Sequence, residues 1–268
     1  MFLCGIVTMN SSTMRPNSLN LICFLLGTLL LFSCKRTIED FQTNQIADYV
    51  PLEKGKYITY QVDSTVFTNF GRSTEIHSYQ EKNLIDTQLV DGMGRTGYRI
   101  FRFLRDSAGT GPWSPAGSYF VTPLDKTIEL TENNLRFVKL SLPIVQGFTW
   151  KGNQFLPNEP YSTFYSFNND FDIATWDNTY SSIGETINLN GNTVNDVITV
   201  EGIDDVFNVP VIDSKVYGAI NRFQEKYAKG IGMVYQELTM WEYQPNTSGQ
   251  GGGFKIGFGV IRSMIDHN

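Results

Sequence analysis

The chain reads as all-β, an antiparallel sandwich or strongly curved half-barrel folded as a single domain. Three observations predict this. Apolar residues recur with period two rather than 3.6. Turn residues punctuate the chain at strand spacing, as at Asp91-Gly92, Gln146-Gly147 and Gly152-Asn153. No long window carries a clean helical stripe.

The elements follow in order. Ile58, Tyr60 and Val62 alternate with Thr59, Gln61 and Asp63, which sends one set to a buried sheet face. Phe101 and Phe103 alternate with Arg102 beside Ile100, a strand with both faces partly covered. Asn190-Gly191 separates 186–189 from 194–200 and supplies the dipeptide that two-residue hairpin turns favour. Val197-Ile198-Thr199-Val200 is β-branched throughout. The stretch 214–227 carries Val216, Ile220, Phe223 and Tyr227 at helical spacing, yet also reads as a strand ending at Lys229-Gly230; strand is the reading adopted. Residues 249–253 form a glycine-rich hairpin loop, and 258–265 close the chain as an apolar strand. No internal repeat and no boundary inside the β-rich region is visible.

The N-terminus carries a different pattern. Arg15 follows Met14, and residues 21–32 are largely apolar. That run is too short for a bilayer core, which takes about 20 residues, and it fits the apolar part of an export signal. Leu31-Phe32-Ser33-Cys34 then resembles a bacterial lipobox, where signal peptidase II cuts and the new N-terminal cysteine is acylated. Three segments result: a signal peptide at 1–33, a polar tether at 34–50 and a β-rich domain at 51–268. Several acyl chains on one residue anchor stably, so Cys34 is the candidate lipidation site and the expected partner is a membrane, reached through that lipid. A plain secretory signal with an incidental Cys34 is the alternative. Residues 1–13 carry no charge, so Met1 and Met14 are both candidate starts.

Composition excludes several classes. The net charge is −6, and becomes −7 once Arg15, the only charge before Cys34, is removed. An acidic balance argues against nucleic acid, which needs a basic face. Cys4 and Cys23 leave with the signal and Cys34 takes the lipid, so no thiol remains for a disulfide, a zinc cluster or a nucleophile. The domain must be held by its core. With 19 Phe, 13 Tyr and 4 Trp it has the aromatic area for that.

Three further stretches carry a resemblance. They are Tyr49-Val50-Pro51-Leu52-Glu53-Lys54-Gly55-Lys56-Tyr57, Gly147-Phe148-Thr149-Trp150-Lys151-Gly152-Asn153 and Tyr227-Ala228-Lys229-Gly230-Ile231-Gly232-Met233-Val234-Tyr235. With the lipobox, their order resembles uncharacterised outer-membrane lipoproteins of the Bacteroidetes. The resemblance implies an envelope location and antiparallel β architecture, and brings no catalytic residues. Surface-sorted lipoproteins of that group often carry acidic residues just after the cysteine. Here Lys35 and Arg36 come first and Glu39-Asp40 later, so periplasmic and surface faces both stay open. Asp63-Ser64-Thr65 and Asp106-Ser107-Ala108 match that group's short O-glycosylation pattern.

Catalytic and metal sites are weakly supported. His77 lies in a polar stretch and His267 is the penultimate residue, and no Gly-x-Ser-x-Gly elbow presents a serine. Asn168-Asn169-Asp170-Phe171-Asp172 places oxygens at alternate positions, but Ile173 and Thr179 stand where an EF-hand needs Gly and Glu. Asp204-Asp205 reads as a turn. The glycine-rich loop lacks the Gly-Lys-Ser/Thr ending of a phosphate cradle. No catalytic residue, cofactor or metal is expected.

The aromatics carry more weight. Rings crowd the middle third, and Trp150, Tyr161, Tyr165 and Trp176 are the candidate ligand-binding residues, as a stacking platform for sugars or the wall of an apolar pocket. The expected function is a non-enzymatic binding or structural role in the cell envelope. A glycan-binding accessory protein is the alternative, and a hydrolase using two facing carboxylates is a third reading.

Overall fold

The period-two pattern builds twelve strands: β1 (Tyr57–Thr68), β2 (Ser73–Val90), β3 (Thr96–Asp106), β4 (Ser114–Pro123), β5 (Thr127–Glu132), β6 (Leu135–Ser141), β7 (Thr149–Lys151), β8 (Asp177–Leu189), β9 (Asn192–Phe207), β10 (Gly218–Ala228), β11 (Gly232–Gln244) and β12 (Phe254–His267). The computed structural model describes residues 44–165, 167, 172–246 and 251–268. The lipobox with Cys34, most of the expected tether and Asn168 to Phe171 of the calcium-like stretch lie outside these residues. The described residues belong to one compact unit.

All twelve strands join one antiparallel sheet, in the order β6-β5-β4-β3-β2-β1-β12-β11-β10-β9-β8-β7. Every neighbour is a sequence neighbour except β1 and β12, which zip together from Ile58↔His267 to Thr65↔Gly259. The sheet is thus two meanders sewn into one, and it curls beyond a half-barrel to near closure. The antiparallel β class expected from the sequence is the one observed.

Short polar contacts finish the closure where β6 meets β7 and β8. The Val138 amide donates to Gly152 O at 2.7 Å, and Trp150 Nε1 donates to Val138 O at 2.9 Å. The Tyr180 hydroxyl donates to Ser141 O at 2.8 Å and accepts from the Ser141 amide at 3.1 Å. An edge strand's backbone groups need partners when buried, and two aromatic side chains supply them here.

Residues 46–50, assigned from sequence to the tether, are packed into the domain. Ile46–Tyr49 forms a 3-10 turn with Ile46 and Tyr49 buried. They join Ile100, Val121, Ile128, Leu140 and Ile198 in one apolar cluster. Gly230 donates its amide to Asp48 O at 2.7 Å, which pins the turn to the β10–β11 connection. The β7–β8 connection brings Tyr161 and Phe167 into a second apolar cluster with Phe258 and Leu135.

Two local readings are corrected. The stretch 214–227 is a strand as adopted, but only from Gly218. Its helical spacing is fortuitous: Ile220 pairs with Trp241 and Phe223 with Leu238, which puts them on opposite faces. Asp204-Asp205 is not a turn, because β9 runs on to Phe207 and pairs Asp204 with Arg222.

Tyr180→Phe keeps the ring and removes both hydrogen bonds to Ser141. It is expected to cost about 1–3 kcal/mol in urea denaturation of residues 34–268, because two backbone groups lose their partner. An unchanged midpoint would remove Tyr180 from the closure.

Candidate functional site: the barrel lumen

The inward-facing positions are not uniformly apolar. On β2 the inward set is Glu81, Asn83 and Ile85; on β3 it is Ile100 and Arg102; on β12, Val260 and Arg262; on β10, Phe223, Glu225 and Tyr227. Glu81 and Glu225 are 1% and 0% exposed. Strand alternation forces this placement once the neighbouring apolar residues face in.

The charges form one connected belt. Glu81 accepts from Arg262 Nε and Nη2, each at 3.2 Å, and lies 3.3 Å from Arg102 Nε. Arg262 Nη1 donates to Gln236 Oε1 at 2.5 Å, and Gln236 Nε2 passes the chain on to Glu225 Oε1 at 2.6 Å. Tyr227 donates to Glu225 Oε2 at 2.6 Å. Lys139 reaches Glu225 from β6, on the other side of the lumen. Arg102 also pairs with Glu132. Three cations and three carboxylates therefore answer one another.

The electrostatics follow from this geometry. Burial pushes the Glu81 carboxyl up, but Arg262 and Arg102 outweigh it and hold the group below the ordinary carboxylate value. Burial first, and then the nearby carboxylates Glu81, Glu132 and Glu225, lift the hydroxyls of Tyr60, Tyr119 and Tyr227 above the usual phenol range. They remain protonated donors. A carboxylate held ionised is a poor general acid, so Glu81 is suited to holding structure or orienting a ligand.

Inside the barrel lies a cavity of about 520 Å³. That falls in the range of small-ligand pockets, about 300–1,000 Å³. Its walls mix the belt with Ile85, Leu130, Phe137, Leu238 and Val260.

Three of the four sequence-predicted ring positions meet here. Tyr161, Tyr165 and Trp176 line the cavity, with Tyr165 stacked on Phe258 at 3.8 Å and 15°. Trp150 does not join them: it packs on Tyr180 at 4.7 Å in the closing seam. His77 is exposed and pairs with Glu75 at 2.9 Å, and neither it nor His267 lines the cavity. Among the described residues, no three His, Cys, Asp or Glu side chains are grouped to hold a metal.

Sequence reasoning missed the belt. In sequence, Phe101 and Phe103 alternate with Arg102 in a strand with both faces partly covered, which does not say which face turns inward. In the structure Arg102 faces in, while Phe101 and Phe103 meet edge-to-face at 6.3 Å on the opposite face. The available signal was a charge two positions from apolar residues of one face, as in Val260-x-Arg262-x-Met264 and Phe223-x-Glu225-x-Tyr227.

Fold and site together define an antiparallel β barrel with a charged, ligand-sized lumen. No protein-family model matches the chain, and no curated protein matches it. Among solved structures, a presumed exported protein with a YmcC-like fold from Bacteroides fragilis aligns over 80% of this chain and 97% of its own, at 11% identity and a TM-score of 0.33. A DUF1329 family protein from Desulfovibrio piger aligns over 82% of this chain and 88% of its own, at 10% identity and a TM-score of 0.19. At these values neither protein's properties transfer to this chain.

Arg262→Met removes the strongest partner of a buried carboxylate. It is expected to cost about 3–5 kcal/mol in denaturant titration at pH 7. Glu81 also sets an acid dependence. Its folded pKa lies below its unfolded value, so its contribution is complete above the unfolded value, near 4.5, and fades as pH falls through the folded one. Glu81→Gln should flatten the stability curve below about pH 5, and an equally steep acid loss would contradict the pairing.

Proposed function

We propose that the protein is a lipid-anchored cell-envelope protein that holds a small ligand in its barrel lumen without transforming it. The observation that carries the binding half is the cavity of about 520 Å³, walled by Tyr161, Tyr165 and Trp176 and by the charged belt. A barrel built only for stability would fill this space with side chains, since interiors pack to crystal-like density.

The anchoring half rests on the apolar run 21–32 and on Ser33-Cys34. Among the described residues, Ile46 is already packed into the barrel. The glycan alternative keeps Tyr165, which lines the cavity yet is 42% exposed, while Trp150 packs in the seam.

Two measurements test the halves separately. Labelled palmitate should enter the wild-type chain in its native host and be absent from Cys34→Ser, with the variant leaving the membrane fraction. Leu238→Trp, which fills the lumen, should abolish binding of the neutral fluorescent probe 1-aminoanthracene while circular dichroism stays β-rich. Equal probe binding by both forms would place the ligand elsewhere.

A further inference from the structure

Resting on the lumen reading, we infer that the ligand is a neutral amphiphile: an apolar body with an uncharged head that both donates and accepts hydrogen bonds, such as an amide or a hydroxyl. Charge balance carries the first half of the argument. The belt's three cations, Arg102, Lys139 and Arg262, are each ion-paired with Glu81, Glu132 or Glu225. A carboxylate or ammonium head placed at the belt would meet no free counter-charge there. It would have to break an existing pair around Glu81 and Glu225, which are 1% and 0% exposed, and an uncompensated buried charge is costly.

The head's hydrogen-bonding character comes from what the belt leaves unanswered. The hydroxyl of Tyr119, a cavity-lining residue, meets no hydrogen-bond partner among the described residues. Its ring lies 5.4 Å from the Arg102 guanidinium. A hydroxyl both donates and accepts, so an amide or hydroxyl head answers it fully, whereas a bare carboxylate only accepts. The apolar body then lies along Leu130, Leu238 and Val260.

The test uses displacement of bound 1-aminoanthracene from the barrel by dodecanamide and by laurate at pH 8, which share one chain length. Dodecanamide is expected to displace the probe at a concentration at least about tenfold lower, the scale of one unpaired buried charge. Tyr119→Phe should weaken dodecanamide about fivefold to tenfold, one hydrogen bond's worth, and leave laurate unchanged. Glu132→Gln frees one positive charge at Arg102 and should shift preference toward laurate. Laurate binding as tightly as the amide in the wild type overturns the neutral-head inference, as does an indifferent Tyr119→Phe. If the probe itself fails to bind the wild type, the lumen reading falls instead.

Discussion

Backbone amides and carbonyls at the edge of a sheet must find partners or water. Two meanders of six strands each could have remained a flat sheet with two open edges. Pairing β1 with β12 joins the meanders, and the contacts of Tyr180, Trp150 and Gly152 with β6 draw the remaining edges together. Everything inside depends on this closure. Without it, Lys139 on β6 would not face Glu225 on β10 across a lumen, and the inward charges would be an ordinary solvated sheet face.

Closure also explains why the interior tolerates six charged side chains. Each is anchored to a different strand, so the belt ties β2, β3, β5, β6, β10 and β12 across the interior at one level. Such a belt is weak evidence for extra stability, because desolvation offsets much of the attraction. It does resist refilling by apolar side chains: losing any one member strands its partner. The Ile46–Tyr49 turn packs into one apolar cluster, and Tyr161 and Phe167 of the β7–β8 connection pack into another.

Particular residues show how far the sequence was legible. The Asn190-Gly191 turn was readable because its dihedral requirement is local: Asn190 and Gly191 both take positive φ, 50° and 85°. The strand at Gly218–Ala228 was harder. Ile220 and Phe223 share a helical spacing, and only pairing with Trp241 and Leu238 shows that they face opposite ways. At β3 the sequence shows both faces partly covered and names neither as the inward one. Arg102 faces inward because carboxylates on β2 and β5 receive it there, while Phe101 and Phe103 lie on the other face.

The sequence alone determined the β class, the Asn190-Gly191 turn, the shortage of thiols and the lipobox-like start, because each depends on composition or on residues a few positions apart. Tertiary structure decided which face of each strand became the lumen, that Trp150 closes a seam while Tyr161, Tyr165 and Trp176 line a cavity, and that Glu81 meets Arg262 across 181 residues of chain. Those outcomes turn on how a curled sheet brings distant strands together, and no local pattern encodes the curl.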